Sequence, residues 1–231
     1  MRAILQSEHI AKRYGKENVL HDITLSIYEN TFNAIWGQSG SGKSTLLNIL
    51  SGLIQPTFGK LRYEDQVISD YSEPQLADWR RSEIGNVFQS YMLLNHLTAE
   101  ENIKIGIASG KTPLSFDRLV HMLEIDSILD KFPAQLSGGQ QQRVAIARAV
   151  IKAPRLLFCD EATGALDEEN SKKVIRLLHS LKSSFGVTIL FTTHNPQIAK
   201  TADRVLTIKN GLLHKDEWNE NPIPAKDMVW G

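Results

Sequence analysis

The sequence predicts an α/β protein with a mostly parallel sheet and an inserted, mainly helical segment. Short continuous apolar runs occur at residues 33–36, 155–160 and 187–194, as in strands of a sheet that is covered on both faces. An amphipathic helical pattern separates the last two runs, which gives a strand–helix–strand unit. Most of residues 74–153 also has helical periodicity, and we interpret this region as an insertion.

The predicted elements follow one another closely at the N-terminal end. Residues 23–27 alternate apolar and polar side chains, which indicates a half-buried strand, and a turn at residues 29–30 leads to the buried run at 33–36. Leucine and isoleucine then recur at helical spacing over residues 46–53. A glycine-rich loop therefore lies between a strand and a helix.

The later elements are mostly helices. Beyond a short strand at 84–89, the predicted helices are 74–82, 115–129, 140–153 and 168–184. Residues 203–218 indicate a hairpin whose turn is at Asn210 and Gly211. We expect a single domain over residues 1–231, with a core from 1–89 and 154–218, a helical subdomain at 90–153 and a tail at 219–231 without a recognisable pattern.

Composition narrows the classes of function. Lys plus Arg and Asp plus Glu both number 26, so a net charge of zero disfavours a nucleic-acid partner. The only cysteine, Cys159, lies in an apolar strand pattern and is expected to be buried and reduced. Residues 1–15 lack a signal-peptide core, and no run approaches the roughly 18 apolar residues of a spanning helix. We therefore expect a cytoplasmic protein.

The segment GQSGSGKS matches the phosphate-loop pattern G-x-x-x-x-G-K-[ST] at each fixed position. Its glycines allow backbone N–H groups to close on phosphates, Lys43 can reach the terminal phosphates, and Ser44 can bind Mg²⁺. The predicted nucleotide-binding residues of this phosphate loop (residues 37–45) are Gly37, Ser39, Gly40, Ser41, Gly42, Lys43, Ser44 and Thr45.

Polar residues follow three other predicted strands. Asp160 and Glu161 end an apolar strand, where Asp160 can bind Mg²⁺ and Glu161 can polarise the attacking water. His194 ends the neighbouring strand and can contact a γ-phosphate or the water, although a lone histidine is more often structural. Gln89 can contact Mg²⁺ or water. Tyr14 can stack on adenine, or be an ordinary exposed loop tyrosine.

Together with a second glycine-containing turn, LSGGQQQR (residues 136–143, the signature loop), these motifs resemble those of the nucleotide-binding subunit of ABC transporters. The resemblance extends from Tyr14 to Gly211 and assigns Gln89 to the Q-loop, Asp167 to the D-loop and His194 to the switch histidine. It implies a P-loop NTPase core with an N-terminal antiparallel β subdomain and an inserted α-helical subdomain.

The same resemblance implies a Mg²⁺-dependent ATPase that acts as a homodimer. The phosphate loop of one chain would face the signature loop of the other, so that each ATP is bound by both chains. The signature loop is expected to contact the γ-phosphate of the ATP that is bound to the phosphate loop of the partner chain. The contacting residues are Ser137, Gly138, Gly139 and Gln140, at the positive end of a helix that begins near Gln140. Asp167 is expected beside the nucleotide.

The sequence that flanks the motifs is similar to the sequences of one branch of this family. That branch contains macrolide and lipoprotein exporters, peptide-resistance transporters and the cell-division ATPase FtsE. We expect an integral-membrane permease as partner, which would hold the chain at the inner face of the cell membrane. A regulatory ATPase of the FtsE type and a soluble ABC ATPase are the alternatives. Residues 90–103 are predicted either to receive a cytoplasmic helix of the permease or to pack the helical insertion.

Two residues depart from the family pattern. Ala162 follows Glu161 where proline is usual, and this leaves the orientation of Glu161 less fixed. Trp36 precedes Gly37 where a smaller aliphatic residue is usual. Neither residue replaces a group that takes part in the chemistry.

Overall fold

The computed structural model describes residues 1–108 and 111–228. The strands are β1 (Ala3–Tyr14), β2 (Glu17–Tyr28), β3 (Phe32–Trp36), β4 (Phe58–Tyr63), β5 (Gln66–Val67), β6 (Ile84–Phe88), β7 (Leu156–Asp160), β8 (Thr188–Thr193), β9 (Arg204–Lys209) and β10 (Leu212–Trp218). The α-helices are α1 (Lys43–Leu50), α2 (Glu73–Glu83), α3 (Ala99–Lys104), α4 (Phe116–Met122), α5 (Gly138–Val150), α6 (Glu168–Phe185) and α7 (Pro196–Ala199).

A six-stranded sheet in the order β10-β9-β3-β8-β7-β6 forms the centre of the molecule. Strands β9, β3, β8, β7 and β6 run parallel, and only β10 pairs antiparallel, as the second strand of a hairpin. The carboxyl ends of β3, β7 and β8 therefore lie at one edge, where ligands of such sheets bind. The predicted mostly parallel sheet is confirmed.

Apolar side chains cover both faces of this sheet. Along β7, Leu157 and Cys159 join a core with residues of α5 and α6, while Leu156 and Phe158 join a second core on the opposite face. The second core contains residues of α1 and of the smaller sheet. Burial on both faces explains why β7 and β8 read as continuous apolar runs in the sequence.

The smaller sheet is four-stranded and antiparallel, in the order β2-β1-β4-β5. Sequence periodicity identified only part of β2. Strand β1 has no clean alternation because its pairing with β2 contains register shifts, and His9 within it has a positive φ of 53°. The antiparallel subdomain implied by the family resemblance is nevertheless present.

Two predicted helix boundaries in the insertion need correction. The helix predicted at 115–129 ends at Met122, because Glu124 takes a left-handed backbone with φ 53° and a 3₁₀ turn follows. Helix α5 begins at Gly138 rather than near Gln140, because Ser137 caps it. The Ser137 hydroxyl accepts from the Gln140 N–H at 3.3 Å, and the Gln140 side chain accepts from the Ser137 N–H at 2.9 Å.

The C-terminal elements agree with the predicted hairpin. Asn210 and Gly211 both have positive φ, 50° and 73°, as a two-residue hairpin turn requires. The tail, for which no pattern was found, continues over α7 and α6: the Ile223 N–H donates to the Lys200 carbonyl oxygen at 3.0 Å, and Met228 is buried. None of the helices within the described residues is long and apolar enough to cross a membrane.

Candidate active site

The phosphate loop connects β3 to α1 in a tight path. Gly42, the residue before α1, has φ 102°, and Gly40 has φ 75°, both in the region that favours glycine. A Cβ at Gly37 would overlap the carbonyl oxygen of Ile208 on the neighbouring strand. Glycine is therefore required at Gly37 for close packing and at Gly42 for backbone conformation, and the loop N–H groups lie at the start of a helix.

Lys43 is buried beneath this loop. Its side chain is 4% exposed, and Nζ donates to the carbonyl oxygen of Gln38 at 2.9 Å. The side chain therefore reaches back across the loop. The same Nζ lies 3.8 Å from Glu161 Oε1. A buried cation is therefore fixed between the phosphate loop and the end of β7.

The carboxylate of Asp160 links the phosphate loop to β7 and β8. Asp160 Oδ1 accepts from Ser44 Oγ at 2.8 Å and from Thr192 Oγ1 at 2.8 Å. A hydroxyl and a carboxylate are oxygen ligands of the kind Mg²⁺ prefers, and Mg²⁺ commonly completes its shell with phosphates and water. Within the described residues no cluster of three or more His, Cys, Asp or Glu could hold a metal alone. Ser44 and Asp160 therefore fit a magnesium ion that arrives with a nucleotide.

Glu161 has an unusual backbone for a residue other than glycine. Its φ is 43°, and its N–H donates to Thr192 Oγ1 at 2.8 Å. Its Oε1 lies 3.7 Å from His194 Nδ1, and the His194 side chain is 64% exposed. Two of the three predicted catalytic side chains, Glu161 and His194, are therefore neighbours at the sheet edge, next to Lys43; the third is Gln89.

The signature loop lies at the N-terminus of α5, against two other parts of the chain. A Cβ at Gly138 would lie 2.9 Å from the Tyr91 hydroxyl, and a Cβ at Gly139 would lie 2.6 Å from Asn170 Oδ1 of α6. Ser137 is exposed and presents the capped helix end to the outside. Within residues 1–108 and 111–228, no hydrogen bond or ion pair joins Ser137–Gln140 to the phosphate loop.

Asp167 and Gln89 lie near these elements. Asp167 caps α6, with Oδ1 accepting from the Asn170 N–H at 2.8 Å, and this hydrogen bond lowers the pKa of its carboxyl. Gln89 is exposed just after β6, and a Cβ at Gly164 would lie 2.8 Å from its Nε2. Gln89 thus borders the turn that follows Glu161.

Tyr14 lies apart from these contacts at the end of β1. Its side chain is 49% exposed, and Lys12 Nζ lies 5.0 Å from its ring centroid. An exposed aromatic face is compatible with stacking, and its predicted contact with adenine stays a prediction.

Comparison with known proteins identifies the family. Residues 20–164 match the family described as ABC transporter. The chain belongs to the ABC transporter family. This confirms the predicted family and fold class, and with them the prediction of an ATPase domain.

Relatives and solved structures agree with this assignment. The chain is 44% identical over 98% of its length to the macrolide export ATP-binding/permease protein MacB of Marinobacter nauticus, and covers 37% of that protein. It is 34% identical, with a TM-score of 0.84, to the ATP-binding cassette MJ0796 in a dimeric post-hydrolysis state bound to ADP and Pi, and the match covers 94% of this chain and 100% of that one.

A third comparison has the same fold. The cbiO1 protein from Clostridium perfringens, part of the ABC transporter complex cbiONQ, is 29% identical with a TM-score of 0.84, and the match covers 95% of this chain and 89% of that one. The chain spans less than half the length of the curated relatives that it matches.

The two departures from the ABC family pattern have different structural settings. Trp36 lines a cavity of about 800 Å³ between the phosphate loop, α7 and the β9–β10 hairpin, and its indole N–H is buried without a hydrogen-bond partner among the described residues. Ala162 is buried next to Glu161. Proline at this position would restrict the backbone of the preceding residue, and alanine does not impose that restriction on Glu161.

Sequence reasoning missed two polar residues of this ABC ATPase domain. Thr192 contacts both Asp160 and Glu161, but a threonine within an apolar strand pattern carries no signal of its own. Arg148 donates to the carbonyl oxygens of Tyr91 and Met92 at 2.9 and 2.5 Å, but an arginine within a helical pattern does not indicate which groups it contacts. Burial lowers the pKa of Arg148.

Proposed function

We propose that the chain is the Mg²⁺-dependent ATPase subunit of a membrane exporter and works as a pair of identical chains. The cluster formed by Ser44, Asp160, Glu161 and Lys43 carries this proposal, because it joins a phosphate loop to two carboxylates within hydrogen-bond or ion-pair distance. Its members come from different elements that meet at the carboxyl edge of the parallel sheet, where nucleotides bind in such folds.

In this proposal the N–H groups of the phosphate loop and the positive end of α1 bind the phosphates of ATP. Lys43, already buried and directed across the loop, compensates the negative charge of the terminal phosphates. Ser44 and Asp160 hold Mg²⁺, which when bound neutralises charge that develops on the phosphate oxygens.

Glu161 acts on the water that attacks the γ-phosphorus. The water oxygen forms the new bond to phosphorus, the bond to the β-phosphate oxygen breaks, and the water proton passes to the Glu161 carboxylate. In this proposal His194, which lies 3.7 Å from Glu161, donates a hydrogen bond to the γ-phosphate, and Gln89 orients the water or the metal. ADP and phosphate are the products.

In this proposal each ATP also contacts the signature loop of the other copy. The N-terminus of α5 presents N–H groups with the positive end of the helix, a suitable partner for a γ-phosphate. Within one chain, the described residues show no hydrogen bond between this helix end and the phosphate loop. The dimeric cassette among the solved relatives supports an arrangement in which two copies enclose the nucleotide.

The proposed membrane partner docks on the segment that follows Gln89. The apolar residues of this segment have different environments. Leu93 packs against the core, while Met92 and Leu94 are 57% and 41% exposed. Arg148 of α5 donates a hydrogen bond to the backbone carbonyl oxygen of Met92. This bond fixes the backbone that carries the exposed Met92 side chain. A MacB relative that combines ATP-binding and permease functions supports a permease as the occupant.

Hydrolysis tests the ATPase proposal directly. The purified chain, alone or in complex with its permease partner, is expected to release phosphate from ATP with Mg²⁺ and to stop when EDTA removes the metal. An absence of Mg²⁺-dependent hydrolysis in both preparations would contradict the proposal.

Crosslinking tests the docking surface. Cys159 is the only cysteine of the chain and is buried, so Met92→Cys adds a single accessible thiol. We expect Met92→Cys to crosslink to the permease, and Lys16→Cys, exposed in the turn between β1 and β2, to remain free. Equal behaviour of the two variants in an assembled complex would favour simple packing of the insertion.

A further inference from the structure

The hydroxyl of Thr192 contacts both residues that are expected to carry the chemistry. Thr192 is fully buried in β8. Its Oγ1 donates to Asp160 Oδ1 at 2.8 Å and accepts from the Glu161 N–H at 2.8 Å. The Cys159 carbonyl oxygen is farther away, at 3.4 Å, so the single hydroxyl proton goes to the nearer and charged acceptor.

The backbone of Glu161 depends on such support. A positive φ of 43° is uncommon for a residue with a side chain and persists where surrounding contacts fix it. The bond to Thr192 fixes the N–H of Glu161, and the Gly164 N–H fixes its carbonyl oxygen at 2.8 Å. Ala162 does not constrain the preceding backbone as proline would, so Glu161 keeps its orientation through these hydrogen bonds.

We propose that Thr192 is the positioning residue of the ATPase site, and this inference rests on the proposed function. It orients the Asp160 carboxylate toward the metal that accompanies ATP, and it orients Glu161 toward the attacking water. Both effects pass through one hydroxyl. In the part of the chain that the structure describes, Thr192 makes no hydrogen bond to the phosphate loop, so it acts on the metal and the water and not on the phosphates themselves.

Removing the hydroxyl while keeping the shape separates this role from packing. Thr192→Val has a similar volume, but leaves the Glu161 N–H unpaired and leaves Asp160 Oδ1 with Ser44 as its remaining hydroxyl donor. Thr192→Ser keeps the hydroxyl. Thr188→Val is a matched control, because Thr188 is buried at the other end of β8 and its Oγ1 likewise accepts from a backbone N–H, that of Asn30, at 2.9 Å.

The test measures ATP affinity with Mg²⁺ and with EDTA, using a fluorescent ATP analogue, together with the rate of hydrolysis. For Thr192→Val we expect affinity within about twofold of wild type in EDTA, but about tenfold weaker in Mg²⁺, which corresponds to one lost hydrogen bond. We expect kcat to fall on the order of tenfold to a hundredfold. Thr192→Ser and Thr188→Val are expected to behave as wild type in both conditions.

Two results would overturn the inference while the proposed function stands. One is a Thr192→Val protein with wild-type hydrolysis and a wild-type response to Mg²⁺. The other is an equal loss of affinity with and without Mg²⁺, which indicates general disturbance of the fold. If Thr192→Val does not fold, Thr192→Cys enters the same comparison as the variant with a much weaker hydrogen-bonding group. A wild-type protein whose ATP hydrolysis continues unchanged in EDTA would instead contradict the proposed function itself.

Discussion

Ser44 Oγ donates to Asp160 Oδ1 across 2.8 Å, although 116 residues separate the two along the chain. Ser44 is the second residue of α1, and Asp160 is the last residue of β7. Because β3 and β7 lie on either side of β8 in a parallel sheet, their carboxyl ends meet at the same edge. The sheet order thus brings together the two residues of the proposed magnesium site.

Lys43→Ala is expected to weaken ATP binding by tenfold or more, on the order of what the loss of a close ammonium–phosphate contact produces. The variant also loses the Nζ bond to the Gln38 carbonyl oxygen. Titration with a fluorescent ATP analogue measures the change, and Lys16→Ala, at an exposed position, is the control. Unchanged affinity in Lys43→Ala would remove the basis of the nucleotide site.

Glu161→Gln is expected to bind ATP normally and to lose hydrolysis by a factor on the order of a hundred or more, because the amide keeps the shape but cannot take up a proton. The effect is read as kcat at saturating ATP. Glu168→Gln is the matched control, since Glu168 is exposed in α6 and pairs with Lys172. Wild-type turnover in Glu161→Gln would show that another residue activates the water.

Gly139→Ala tests whether the signature glycine is required only for packing. A Cβ at Gly139 would lie 2.6 Å from Asn170 Oδ1, so the variant should lower the unfolding midpoint. Adding Asn170→Ala removes the close contact and should restore most of the stability. If the backbone of Gly139 also approaches the ATP of a second copy, hydrolysis stays low in the double variant. Recovery of both properties would assign Gly139 a packing role alone.

His179 makes stability dependent on pH. Burial lowers its pKa from 6.5 to about 4, with a further contribution from Lys182, and its ring stacks on Phe32 at 4.5 Å between centroids. Protonation therefore favours the unfolded chain. The stabilisation is complete above the unfolded pKa of 6.5 and is lost as the pH falls toward 4.

Urea denaturation at pH 7 and pH 5 checks this dependence. Wild type should lose about 2 kcal/mol more unfolding free energy between these pH values than His179→Phe, which keeps the stacking but cannot be protonated. Equal pH dependence in the two proteins would show that His179 is not the titrating group.

The sequence predicted those parts of the site whose chemistry is local. The phosphate loop is such a part, because its residues lie close together in the sequence and their spacing alone identifies the motif. These residues are Gly37, Gly42, Lys43 and Ser44. Strands β7 and β8 were recognised because burial on both faces leaves a continuous apolar run. The terminal polar residues of such strands could then be placed at one edge.

The remaining features depend on contacts between distant elements. Thr192 resembles any strand threonine until the fold places Asp160 and Glu161 beside it. The left-handed backbone of Glu161 and of Tyr91 is decided by hydrogen bonds from other elements, and neither residue type predicts it. The start of α5 was placed too late because a glycine pair weakens the helical pattern, while the Ser137 cap lies outside it.

In the proposed dimer, the phosphate loop of one chain and the signature loop of the other bind the same ATP. One set of variants isolates charge at the signature loop. Ser137→Asp keeps a residue that caps helices well and adds a negative charge facing the phosphate, whereas Ser137→Asn caps equally well without the charge. Ser137→Asn is therefore the matched control for Ser137→Asp.

The most direct measurement is ATP-dependent association of two differently tagged chains, both carrying Glu161→Gln so that ATP persists. One chain also carries Lys43→Ala and the other Ser137→Asp, and analytical ultracentrifugation follows dimer formation with ATP and Mg²⁺. Each chain alone is expected to remain monomeric, while the mixture forms a dimer with one intact site, built from the phosphate loop of one chain and the signature loop of the other. If the mixture does not associate under conditions where Glu161→Gln alone dimerises, the binding of one ATP by loops of two different chains is contradicted.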